Sequence, residues 1–92
     1  MAIHFEELWE KCEQHFKDLP KDDSIETILD ELIMKIDLYK KIALKADIPI
    51  EEQAKVKSRT MGEILLSITH LSLKDNLNVF EDLSVALQYR NI

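Results

Sequence analysis

The sequence predicts an all-α fold, a four-helix antiparallel bundle that takes residues 1–92 as a single helical domain. Apolar residues recur at three- and four-residue spacing through four separate stretches. One glycine and two prolines are too few for the turns of a β-sandwich, and a chain 46% hydrophobic is too apolar for disorder. Short linkers between the stretches favour antiparallel neighbours.

The first helix, residues 3–17, carries Phe5, Leu8, Trp9, Cys12 and Phe16 on one face. Asp18-Leu19-Pro20-Lys21-Asp22 breaks it. Asp23 with Glu26 three positions later reads as a capping box, because each side chain can satisfy backbone donors left unpaired at a helix start. The second helix begins there, with Ile25, Ile28, Leu29, Leu32, Ile36, Tyr39 and Ala43 as its expected core stripe and Ile33 at the margin.

Asp47-Ile48-Pro49-Ile50 makes the next connection, since proline lacks the amide a helix interior needs but is tolerated in a first turn. Glu51 and Glu52 then sit near the positive end of a helix dipole. The third helix runs over residues 51–74. Met61, Ile64, Leu65, Ile68 and Leu71 line one face, and Thr60, Glu63, Ser67, His70 and Lys74 form a polar stripe. Leu66 and Leu73 fall on another face and call for a second neighbour, either helix one or another subunit. Asn78 with Glu81 repeats the capping-box pattern, and Val79, Leu83, Ala86 and Leu87 give a short fourth helix ending near Arg90.

A domain of this length buries a smaller share of its surface than a larger one. A homo-oligomer assembled through helix three, by Leu66 and Leu73, is therefore expected. The net charge of −6 divides unevenly, with −7 over residues 1–34, +3 over 35–59 and −2 over 60–92. An acidic chain repels a polyphosphate backbone, so binding to a nucleic-acid polymer is not expected, and the lysines of the middle segment read as solvated surface. Cys12 is the single cysteine, which excludes an intrachain disulfide and suits a reducing compartment. Glu6, Glu7 and Glu10 interrupt the opening where a signal peptide needs an apolar run, and no stretch approaches the roughly 20 apolar residues of a membrane span. A cytoplasmic protein without membrane association is expected.

The segment Met61-Gly62-Glu63-Ile64-Leu65-Leu66, the run Asn76-Leu77-Asn78-Val79-Phe80-Glu81-Asp82-Leu83 and the opening Phe5-Glu6-Glu7-Leu8 resemble the MazG-like all-α nucleoside triphosphate pyrophosphohydrolases. The resemblance extends over nearly the whole chain. It implies binding of a nucleoside triphosphate and Mg²⁺-dependent hydrolysis to monophosphate and pyrophosphate. In that family a helix bearing Glu-Glu-x-x-Glu faces one bearing Glu-x-x-Asp, and magnesium prefers such carboxylate oxygens.

Laid on this chain, Asp30 and Glu31 match the leading pair of the first motif and Met34 takes the third acid's place. Glu63 takes the place of the aspartate and Thr60 that of the leading glutamate. The resemblance thus implies Asp30, Glu31 and Glu63 as magnesium ligands, with Glu63 the catalytic acid. A second register sets Glu26 and Asp30 at the first and third positions with Thr27 between them, and the sequence leaves both open. The losses at Thr60 and Met34 support the alternative, a catalytically inactive relative that serves as an oligomeric protein-interaction module.

Other arrangements carry less. His4 and His15 are separated by about 16 Å along a helix, too far to share a metal. Cys12 and His15, three residues apart, lack further ligands and read as core and surface. Glu63, Ser67 and His70 project in parallel from one helix face and do not converge as a nucleophile and base must. Trp9 with Phe5 and Phe16 reads as core before it reads as a base-stacking platform. Lys40, Lys41 and Lys45 complement the negative end of a helix dipole.

Overall fold

The chain ends each helix with a local device. In the computed structural model, which describes residues 5–18, 24–45 and 47–90, four α-helices follow in order: α1 (Phe5–Lys17), α2 (Ile25–Leu44), α3 (Ile50–Lys74) and α4 (Val79–Arg90). No strand occurs among the described residues. Ser24, in extended conformation, caps α2: its Oγ accepts from the Thr27 amide at 3.2 Å. Asp23, the expected cap, lies outside the described residues. Pro49 opens α3 with no side-chain cap, and its carbonyl accepts from the Gln53 amide at 2.9 Å. Asn78 opens α4 as expected, its Oδ1 accepting from the amides of Phe80 at 3.0 Å and Glu81 at 3.3 Å.

The end of α3 needs a left-handed residue. Asn76 takes it, at φ 58°. Its amide reaches the Leu73 carbonyl at 3.2 Å and the next amide, of Leu77, reaches the Ser72 carbonyl at 2.8 Å. This is the Schellman arrangement, and asparagine is the residue after glycine that tolerates its backbone angle.

α2 and α3 pack antiparallel and hold most of the interior. At one end of the pair the Gln53 Nε2 donates to the carbonyls of Ile42 at 3.0 Å and Lys45 at 3.3 Å. Farther along, Lys35 of α2 meets Glu63 and Ser67 of α3. The inward positions alternate by four and three: Ile28, Leu32, Lys35, Tyr39 and Ile42 on α2, and Gln53, Lys57, Thr60, Ile64, Ser67 and Leu71 on α3. Such spacing is the seam of a coiled coil, narrower than the stripe a helix shows to a broad core.

That seam revises the expected faces. Ile25, Leu29 and Ile36 of the expected α2 stripe lie outside with Ile33, while Lys35 and Ile42 lie inside. On α3, Met61 and Leu65 are exposed, and Thr60 and Ser67 from the polar stripe are buried. Small hydroxyl residues suit this place because the helix itself satisfies them. Thr60 donates to the Val56 carbonyl at 2.8 Å, and Thr69 to the Leu65 carbonyl at 2.9 Å.

α1 and α4 cover the outer side of α3. Phe16 stacks on His70 with ring centres 4.2 Å apart and planes 11° apart, and Trp9 meets Phe80 edge-on at 5.9 Å. Leu66, expected to seek a second neighbour, finds α1 and α4 there. Beyond Phe80 the whole of α4 is exposed. The accessible surface is 7740 Å², against about 5,500 Å² for a compact monomer of this mass. The radius of gyration, 15.4 Å, likewise exceeds the roughly 12 Å of a compact chain this long.

Candidate functional site

The polar residues of the α2–α3 pair collect on one side. Glu31 and Lys35, one helical turn apart on α2, face Glu63, Ser67 and His70 on α3, and His15 and Phe16 of α1 close the top of a hollow of about 180 Å³. Lys35 is its organising group. Its Nζ donates to Ser67 Oγ at 2.6 Å and to the Glu63 carbonyl at 3.4 Å, and lies 3.7 Å from Glu63 Oε2. The lysine is only 25% exposed and Glu63 55%, so the ammonium sits at the bottom and the carboxylate nearer the mouth.

Of the three acids expected to hold magnesium, Glu31 and Glu63 line this hollow and Asp30 does not. Adjacent helix residues point about 100° apart, so Asp30 and Glu31 cannot both face α3. Among the described residues, no group of three or more His, Cys, Asp or Glu side chains gathers closely enough to hold a metal ion. Glu26, from the other register, is exposed in the first turn of α2 and does not line the hollow.

Magnesium takes six oxygens and is commonly held by one or two carboxylates with waters completing the shell; here the two carboxylates share the space with the Lys35 ammonium. The remaining two motif places hold no acid. Thr60 is buried in the seam with its hydroxyl committed to Val56, and Met34 is exposed on the far side of α2.

Lys35 is the residue that sequence reasoning missed. Its signal was the spacing to Glu31, four positions, which puts both on one helix face. Ser67 and His70 do not form a nucleophile and base: Ser67 accepts from Lys35, and the His70 ring lies flat on Phe16.

A second hollow, of about 260 Å³, opens between α1, α3 and α4. Leu8, Cys12, Leu66, Thr69, Phe80 and Leu83 line it, almost wholly with apolar atoms. Burial raises the Cys12 thiol above its ordinary pKa, which leaves it less nucleophilic than a free cysteine. Trp9 is held by Phe80 and Phe16 by His70, so these two aromatics serve the packing; the side chain of Phe5 and all of His4 lie outside the described residues.

None of the described helices is long and apolar enough to cross a membrane. No family model, no curated protein and no solved structure matches this chain.

Proposed function

We propose that this chain is a MazG-like helical protein that works as a non-catalytic, oligomeric interaction module. One observation carries the reading: the Lys35 ammonium lines the acidic hollow, bonded to Ser67 and beside Glu63. A cation built into the chain stands beside Glu63 and ties α2 to α3. The same group opposes entry of a second cation, because like charges at this distance repel strongly where water is partly excluded. The polar contact between α2 and α3 is, on this reading, a structural clasp.

The second reading is Mg²⁺-dependent hydrolysis of a nucleoside triphosphate to monophosphate and pyrophosphate. What favours it is that Glu31 and Glu63 share one hollow. One assay separates the two. A panel of nucleoside triphosphates with Mg²⁺ or Mn²⁺ is incubated with the wild type and with Glu63→Ala, and pyrophosphate is measured. The module reading expects the same background from both proteins. Release that depends on Glu63 would overturn it in favour of the hydrolase.

A further inference from the structure

Two hollows meet at Phe80. One is the apolar hollow between α1, α3 and α4, where the Thr69 hydroxyl is committed to the Leu65 carbonyl and the wall offers hydrocarbon and the Cys12 thiol. The other, of about 440 Å³, lies between α1 and the start of α4, with Glu6, Trp9, Glu10 and Glu13 on one side and Phe80 and Glu81 on the other. Glu6, Glu10 and Glu13 follow one another at four and three residues, which sets three like charges on one face of α1 and destabilises a helix left to itself. Glu6 and Glu81 stand in first turns, where a helix dipole favours them; Glu10 and Glu13 have no such local reason. All four acids are exposed, and among the described residues no base forms an ion pair with any of them.

The bases of the surrounding helices stand elsewhere. Lys11 shares a separate hollow with Glu7 and Glu10 on the outer side of α1, and Lys17 and Arg90 come in the last turns of α1 and α4. Lys55 and Arg59 precede Gly62 on α3, and none of these bases lines either hollow at Phe80. We infer that the double hollow docks a basic segment of another protein, with a large apolar side chain beside Cys12 and a lysine or arginine over Trp9 among the four carboxylates. Phe80 lines both hollows, so one segment spans the two. Apolar anchors seated in a groove are a common way of holding such a segment, and an indole face attracts a cation.

Charge complementarity selects the occupant. A cleft lined by acids alone focuses a negative potential, which draws basic side chains and repels the phosphates of nucleic acids and anionic bilayers. The apolar residues exposed on α2 and along the rest of α4 are flanked by charges of both signs, Asp30 and Lys40 on the one and Asp82 and Arg90 on the other. A second copy of this chain fits the cleft less well, because its exposed lysines are interleaved with acids. Lys41 is already paired with Asp37 at 3.0 Å, and Asp47, Glu51 and Glu52 follow Lys45. This surface gives the module reading its partner and rests on that reading, but its tests fail separately from the hydrolysis assay.

Trp9 is the chain's one tryptophan, so its emission reads the site directly. The full chain is titrated with a synthetic amphipathic peptide of leucine and lysine, and separately with its counterpart of leucine and glutamate. The lysine peptide is expected to shift Trp9 emission saturably and the glutamate peptide to leave it unchanged. Glu10→Gln with Glu13→Gln should weaken binding at least tenfold, and Leu83→Gln at least fivefold, while circular dichroism shows the same helix content. Glu51→Gln with Glu52→Gln, which removes the same charge from the start of α3, should leave binding within twofold of the wild type. No saturable shift with the lysine peptide, or an equal shift with both peptides, overturns the inference. Equal weakening by the two double variants overturns it as well, since the attraction would then belong to the acidic chain as a whole. A Trp9 shift that appears on concentrating the chain alone, and that the lysine peptide competes away, overturns the choice of partner in favour of a second copy. Glu63-dependent pyrophosphate release overturns the underlying reading instead and leaves the peptide titration as it stands.

Discussion

The two sides of the α2–α3 pair are built in opposite ways. On one side Glu31, Lys35, Glu63, Ser67 and His70 stand close together, and His15 and Phe16 of α1 share their hollow. On the other, Ile25, Leu29, Ile33, Ile36 and Met61 face water. A monomer optimised for itself would have these reversed, since apolar burial drives folding and polar groups cost free energy when buried without partners. The covered side solves its difficulty with hydrogen bonds. The open side keeps its apolar residues in contact with water within the single chain.

The largest expected effect lies between the two sides. Among the described residues, Ile28 is the large side chain buried completely, at 0% exposure, and Ile28→Ala should cost about 2–5 kcal/mol in a urea melt. Ile33→Ala on the open side should cost under about 0.5 kcal/mol in dilute solution, as surface changes do. Equal costs at the two positions in dilute solution would break the contrast, because Ile33 would then be buried within the chain.

Next comes the clasp. Lys35→Met keeps the length of the side chain and deletes its charge, and should cost about 1–2 kcal/mol in the same measurement, since a charged hydrogen bond to Ser67 is lost. Ser67 is buried and loses the donor that reaches it. A neutral or stabilising result would mean that Lys35 is a tolerated passenger and not the tie between the helices.

How far all this was legible depends on the distance over which each feature is decided. Asn78 and Pro49 could be read directly, because a cap and a helix start are settled within three or four residues. The inner face of α2 could not. Ile25, Leu29, Ile33 and Ile36 are as apolar as Ile28 and Ile42, so hydropathy spreads over more than half of the helix and does not distinguish the side a single neighbour will cover. The choice is made across the fold, by Lys35 reaching partners 28 and 32 positions away. Glu31 and Glu63 were found through the resemblance, whereas Asp30 was carried along with Glu31 as a motif neighbour that the helix turns elsewhere.

A smaller effect tests how well the polar groups of α3 are satisfied. Ser72 Oγ is buried and has no hydrogen-bond partner among the described residues, unlike Thr60 and Thr69 on the same helix. Removing an unpaired hydroxyl removes its desolvation cost, so Ser72→Ala should stabilise the chain by up to about 1 kcal/mol. Thr60→Val, which deletes a satisfied hydroxyl, should not. Destabilisation by Ser72→Ala would reveal a partner for the hydroxyl in solution, such as an ordered water.

The smallest expected effect separates the two sides by their response to salt. Lys41 and Asp37, one turn apart beside the open face, form an ion pair at 3.0 Å with both side chains largely exposed. Asp37→Asn should cost no more than about 0.5 kcal/mol, the usual worth of such a surface pair. At 1 M salt, where charges are screened within about 3 Å, even that cost should vanish. The Lys35 contact should behave otherwise, because its side chain is mostly buried and its amine is bonded to a hydroxyl as well as facing a carboxylate. The cost of Lys35→Met should therefore persist in the same salt. If salt erased both costs equally, Lys35 would be a solvated surface charge like Lys41, and the polar side would lose its claim to be the closed one.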